Sequence, residues 1–296
     1  MRSLAKIKPP YIDHFKEIVK AKRNVTVRRR LKKLMPQISE HYERFESAVE
    51  RRQLDVLGKS GSLNVHRSDL ATCYSPSTKR LEALKNQIKE TQNRRTLTRC
   101  PYCGITPPTT YDHYLPQERF PEFVVHPLNL VPCCSVCNQS KGVRWLSGKK
   151  RLFVHFYSDP IPEVSFLFAR LKTSSKSDAV GITFELRKPH SIKQQTWELL
   201  KAHFVALKLI EKYNDQAVDE YTEILGGSVS HCIAGGTNVS GFLDHRALQL
   251  ETDFGINHWR AVLCKVLASH VEFLDTVAKQ TAIEKRRIQL AKLRQL

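Results

Sequence analysis

Apolar residues recur every three or four positions through residues 11–57. Leu31, Leu34, Ile38, Tyr42, Phe45 and Val49 would share one face of a helix. Pro36 has no N–H to give to the preceding turn, so it interrupts or restarts that helix. The next stretch, GKSGSLNVHRSDLATCYSPS at 58–77, is rich in Gly and Ser and has no period; it reads as a loop. Ser77-Thr78 opens another helix, running to about Arg95 with Leu81, Leu84 and Ile88 on one side. Over 97–148 the helical period gives way to short apolar runs of strand type among prolines, glycines and cysteines. RLFVHFY (151–157) and VGITFEL (180–186) read as strands, and SSKSD (174–178) as a turn. Residues 191–225 and 244–295 return to helical spacing. In the latter, Val262, Leu263, Val266, Leu267, Val271, Leu274 and Val277 make a wide stripe, most simply core and otherwise a dimer interface. The segment 226–241 reads as a glycine-rich connection without the strand-turn-helix setting of a phosphate loop. There is no internal repeat. The pattern implies an α+β fold, mainly helical: a helical N-terminal region (1–96), a compact centre (97–148) and a mainly helical C-terminal region with a few short strands (149–296).

Charge changes that picture. The 296 residues carry 48 Lys and Arg against 29 Asp and Glu, a net +19 that favours polyanions, nucleic acid before an anionic membrane surface. A solvated basic face is the plainer alternative. The run KAKRNVTVRRRLKK (20–33) holds eight basic residues and no acid, which makes Arg28, Arg29 and Arg30 candidate phosphate contacts. The tail KQTAIEKRRIQLAKLR (279–294), with six basic residues and one acid, is a second. No stretch has the roughly 18 apolar residues of a membrane span, and the first residues lack the apolar core of a signal peptide. Of eight cysteines, five fall within 100–137. Clustering of that kind points to metal in a reducing compartment, so a cytoplasmic protein is expected.

Cys100-x2-Cys103 and Cys134-x2-Cys137 are two knuckles suited to tetrahedral Zn2+, each pair clamping one edge of the tetrahedron. The two-residue gap favours Cys134 over adjacent Cys133, which is left as a buried thiol. Four protein ligands leave no open position, so this zinc would be structural. Between and after the knuckles lie Asp112-His113, Pro116, Asn129 in HPLNLVPCC, and Asn138 in CNQSKG. Each alone has an ordinary reading as a turn, a loop amide or a helix cap.

Together they resemble the HNH endonuclease family, the ββα-metal nucleases, in its zinc-containing four-cysteine form. The pattern Cys100-x2-Cys103, Asp112-His113-x2-Pro116, Asn129-Leu130-Val131-Pro132, Cys134-x2-Cys137-Asn138 and Lys141-Gly142 covers about 45 residues in the family's order. The last position is Asn where the eponymous motif has His. The resemblance implies a zinc-stapled ββα-metal core embedded between helical flanks. It also implies His113 as general base and Asp112 and Asn138 as ligands of a catalytic Mg2+ or Mn2+, with their side chains on opposite sides of the strand end in the case of Asp112 and His113. Asn129 would brace the loop and the base, and Lys141 would meet backbone phosphate. Hard oxygen ligands suit magnesium, and a neutral imidazole titrates near the working pH. Replacing Asp112 or His113 by alanine is expected to abolish cleavage without unfolding the chain.

The family mostly cuts DNA, so DNA is expected before RNA as the nucleic-acid partner. The architecture also looks like the stand-alone nucleases of bacterial anti-phage systems, the Septu-type and retron-associated ones, which act with an ATPase partner. A non-catalytic zinc-stabilised nucleic-acid-binding protein, an adaptor, and an RNA-cleaving (tRNA-cleaving) nuclease are the alternatives. His155, His203, His258 and His270 read as packed residues rather than ligands.

Overall fold

The computed structural model describes residues 1–58, 61–174 and 177–294, with 173–174 and 177–179 described by backbone alone. These residues are mainly helical, with three two-stranded antiparallel sheets. Two compact units are present, Arg2–Ile161 with Lys193–Leu207, and Pro162–Ile192 with Lys208–Leu296 and Met1. The cysteine-rich segment and the basic helical region before it therefore share one unit, and 149–296 contributes to both.

In the first unit, helices α1 (Ile12–Lys20), α2 (Val25–Lys33) and α3 (Met35–Arg51) come first. Asn24 caps α2, its side chain accepting from the Val27 N–H. Pro36 falls in the first turn of α3, where its missing N–H costs nothing, so it restarts the helix rather than breaking it. The expected face, Leu31 to Val49, is buried.

The stretch 58–77 departs from the expected loop: it contains α4 (Gly61–Asn64) and α5 (Arg67–Ala71). These helices are too short to show a period, and tertiary burial of Leu63, Leu70 and Cys73 holds them. An ion pair adds to this, Arg30 gripping both oxygens of Asp69 at 2.5 and 2.7 Å. Helix α6 (Lys79–Glu90) follows, capped by Thr78 and seated on Leu81, Leu84 and Ile88.

Strands β1 (Thr110–His113) and β2 (Leu130–Cys133) pair antiparallel with Asp112 opposite Val131 and His113 opposite Leu130. Helix α7 (Ser135–Lys141) continues directly from β2. A small hairpin comes next, β3 (Leu146–Ser147) with β4 (Lys150–Arg151).

The strand expected over 151–157 ends at its first residue. Phe153, Val154, His155, Phe156 and Tyr157 are all buried, yet no ladder takes their backbone. Other groups do instead. The Val154 N–H donates to His203 Nδ1, the His155 N–H to Asp159, and Tyr114 donates its hydroxyl to the Phe153 carbonyl. A run apolar on every position is compatible with any buried backbone whose polar groups find partners. His203 is supplied by α8 (Gln194–Ala206).

The second unit holds the hairpin β5 (Leu167–Ser174) and β6 (Ser177–Leu186), the latter containing the expected strand 180–186. The centre of the expected turn at 174–178 lies outside the described residues. Four helices complete the unit: α9 (Leu209–Ile233), α10 (Val239–Phe254), α11 (Trp259–Ala268) and α12 (Val271–Leu293). Gly226 and Gly227 lie inside α9, not in a connection, because burial of Ile224 and Ser228 carries the helix through them. Trp259 stacks on Tyr213 at 5.8 Å, and Asn257 accepts from the N–H groups of Phe166 and Leu167. Of the expected stripe, Val262, Leu263, Leu267 and Val277 are core, whereas Val271 is exposed. Among the described residues, no helix is long and apolar enough to cross a membrane.

Candidate metal centre and active site

The Cys100–Cys103 knuckle is closed by backbone: the Gly104 N–H donates to the Cys100 carbonyl at 2.7 Å, and Gly104 takes a φ of +68°, which a side chain would resist. The second knuckle is the entry to α7. There Cys134 is the N-cap residue and its sulfur accepts from the Cys137 N–H at 3.4 Å. N–H groups also reach the other pair, Cys134 to Cys100 Sγ and Ile105 to Cys103 Sγ. All four sulfurs are buried and lie within 4.8 Å of one another. A zinc–sulfur bond of about 2.3 Å implies tetrahedral edges near ~3.8 Å, and Cys103 and Cys134 are 3.9 Å apart. Four buried thiols at this spacing can ionise together only around a cation. The cluster can thus hold a metal ion such as zinc. Cys133 stands outside it, with its sulfur 3.5 Å from Thr110 Oγ1 and its thiol pushed up to about 12 by burial.

A cavity of about 580 Å³ adjoins the end of the hairpin. Five consecutive residues, 109–113, border it, so it runs along the unpaired edge of β1. Asp112 and His113 both border it; the Asp112 carboxylate is held by Tyr102 and Lys141, and the His113 ring by Val124 and Tyr74. Asn138 of α7 borders it too.

Within His113, Nε2 lies 2.9 Å from the Val124 carbonyl oxygen. A carbonyl only accepts, so Nε2 carries the proton and Nδ1 holds the lone pair of the neutral ring. Burial lowers the His113 pKa, opposed by the Val124 bond and the charge of Asp112. Tyr74 packs edge-on against this ring at 4.5 Å. Asn129, wholly buried, accepts from the Leu115 N–H and donates to the carbonyls of Leu115 and Phe123. It thereby fastens the loop that presents Val124 to His113. Asn138 donates its amide to Thr110 Oγ1 and to the Tyr111 carbonyl, and Oδ1 is left without a protein donor among the described residues.

Asp112 is 2% exposed. Tyr102 donates its hydroxyl to Oδ2 at 2.7 Å, and Lys141 donates its ammonium to Oδ1 at 3.0 Å. Lys141 is fully buried and also donates to the His113 carbonyl at 2.8 Å. It cannot reach phosphate from there, so that expectation is corrected: Lys141 braces the Asp-His pair from α7, one turn beyond Asn138.

The arginine run does not border the cavity. Arg30 is committed to Asp69, Arg28 donates to the Lys22 carbonyl, and Arg29 is exposed. The cavity's second wall is one that sequence reasoning missed, made by Tyr74 with Glu82, Lys85 and Lys89 of α6. The signal available for it was the spacing of Glu82, Lys85 and Lys89 on the side of α6 away from Leu81, Leu84 and Ile88. Tyr102 was also missed, although it sits inside the first knuckle.

No family model matches the chain, and no solved structure matches it. It is similar to protein ea31 of Escherichia phage lambda, 27% identical over 189 residues. The match takes in 59% of this chain and 63% of that protein's length.

Proposed function

We propose that this chain is a metal-dependent endonuclease of HNH type that hydrolyses nucleic-acid phosphodiester bonds, with DNA the favoured substrate. One observation carries the reading: Asp112, His113 and Asn138, the last directly after Cys137 of the four-cysteine cluster, border a single cavity, with His113 Nδ1 uncommitted among the described residues.

The donor set suits a hard cation. Asp112 retains a lone pair on each oxygen beyond the bonds from Tyr102 and Lys141, and Asn138 has a free amide oxygen; Mg2+ or Mn2+ would be held by these two residues and water. Such an ion supplies positive charge opposite the phosphate and the departing oxygen. His113 Nδ1 takes the proton of the attacking water as the new O–P bond forms and the old one breaks, and the departing oxygen takes a proton from solvent. The resulting imidazolium is stabilised by its Nε2–H bond to Val124 and by Asp112. Asn129 reacts with nothing and keeps the Val124 carbonyl in place.

A second reading has one observation in its favour. The Lys141 ammonium neutralises Asp112, which fits a zinc-stabilised nucleic-acid-binding protein without catalysis. A nicking assay on plasmid DNA and on RNA, with Mg2+ or Mn2+ and with EDTA, separates the two. Cleavage that EDTA stops, and that His113→Ala lowers by about 10²- to 10⁴-fold, is expected. Equal cleavage by purified His113→Ala overturns the assignment. A role as effector of an anti-phage system with an ATPase partner rests on architecture alone, and co-purification tests it.

A further inference from the structure

The candidate chemistry occupies one wall of the cavity, formed by the β1 edge and α7. The opposite wall has no part in it and is built with comparable care. Thr78 caps α6 at one end. At the other end the Gln92 side chain accepts from the Ala5 N–H and donates to the carbonyls of Ala5 and Ile88. Tyr111 of β1 donates its hydroxyl to the Lys85 carbonyl at 2.6 Å, which fixes the distance between the walls.

On this anchored helix, Lys85 and Lys89 stand one turn apart, about 6 Å along the axis, and both border the cavity. The Lys85 ammonium lies 4.9 Å over the Tyr74 ring and 3.0 Å from Glu82. That of Lys89 lies over Tyr111 at 5.7 Å, feels the charge of Glu82 at longer range and makes no close ion pair among the described residues. Tyr74 borders the cavity between His113 and Lys85, and its hydroxyl bonds no protein group among the described residues. Two ammonium groups and a phenol converge on a cavity that contains the candidate base.

We propose that Tyr74, Lys85 and Lys89 form the backbone-phosphate grip of the site, the lysines holding phosphates beside the one attacked and Tyr74 donating to a phosphate oxygen. The nucleic-acid contact is thereby placed on α6 rather than on Arg28, Arg29 and Arg30, two of which are spent on intramolecular bonds. This rests on the nuclease reading for its substrate class.

The test uses the full chain carrying His113→Ala, so that labelled DNA duplex, single-stranded DNA or RNA survives, with affinity read by fluorescence anisotropy across a salt series. Lys89→Ala, at an exposed position without an ion pair, weakens binding about tenfold and reduces the salt slope by about one. Adding Lys85→Ala repeats both effects. Tyr74→Phe, which keeps the ring and removes only the hydroxyl, weakens binding severalfold, and Lys89→Arg keeps the affinity that Lys89→Ala loses. Arg28→Ala with Arg29→Ala stays within about twofold. The proposal falls if Lys89→Ala and the double lysine variant bind like the parent while circular dichroism reports an unchanged fold, or if the parent binds none of the three probes. Lysine-dependent binding by a His113-containing protein that never cleaves would sink the nuclease reading and leave the grip standing.

Discussion

Among the described residues several buried carboxylates are paired with cations, and two of them make a contrast: Asp112 in the first unit, which borders the cavity beside α6, and Glu220 in the second. Glu220 of α9 meets Arg246 of α10 at 3.2 Å and Arg260 of α11 at 2.8 Å, and burial still pushes its carboxyl up. That arrangement ties three helices together. Asp112 has a single ammonium and a phenol, and its neighbours keep capacity unused: the Nδ1 lone pair of His113 and the Oδ1 of Asn138. The two carboxylates differ in the unspent capacity around them, not in the depth of burial or the presence of an ion pair, and it is that capacity on which the proposed chemistry at Asp112 rests.

The strongest way to break this comparison is to remove what holds the first site. Cys134→Ser, or stripping the metal with a chelator, takes away the cation that lets four buried thiols ionise. Segment 97–141 then becomes protease-sensitive while α9 to α12 stay protected. Equal protection of the metal-free and loaded protein would show that the cluster staples nothing.

Asp112→Ala leaves the Lys141 ammonium fully buried without its carboxylate, a cost of about 3–5 kcal/mol in urea unfolding. This revises the expectation that the substitution spares the fold. Asp112→Asn keeps an acceptor for Lys141 and turns an amide N–H to the Tyr102 oxygen, so it is expected to cost less; loss of cleavage in both variants would separate stability from chemistry.

Glu122 provides a third case, with Oε1 3.1 Å from His41 Nδ1 and Oε2 without a partner among the described residues. Burial pushes its carboxyl up to about 7, against 4.5 for the free group. The unfolded chain therefore ionises first. The stability this group contributes is whole below about pH 4.5 and lost as pH rises through about 7, amounting to about 3 kcal/mol. Glu122→Gln should flatten that slope in unfolding measured from pH 4 to 8, and an unchanged slope would place the raised pKa elsewhere.

Glu220→Gln is expected to cost about 2 kcal/mol, less than a sealed pair because both arginines are about a third exposed. Cleavage at equal folded fraction should not change. Any loss would mean that Glu220 does more than join helices.

The candidate site was largely legible because its signals are local. Cysteines two residues apart, a helix entered at Cys134 and an Asp-His pair at a strand end are properties of short segments, and the chain folds them where spacing requires. The face from Leu31 to Val49 was legible for the same reason. Elsewhere local pattern misled. Residues 58–77 have no period yet form α4 and α5 because Leu63, Leu70 and Cys73 find a core; 152–157 are apolar but for His155 yet form no ladder because side chains and isolated backbone partners take up their backbone groups; Gly226 and Gly227 continue a helix that packing sustains.

By itself, then, the sequence determined the two cysteine pairs that come together in one cluster, the order of segments around them and the basic character of the whole. Tertiary structure alone decided that Lys141 is buried on Asp112 rather than free for phosphate, that the Val124 carbonyl orients His113, and that α6 closes the cavity in place of the arginine run. The reason is physical: whether a cation faces water, a carboxylate or a ligand depends on what packs over it, and those groups arrive from positions tens of residues away.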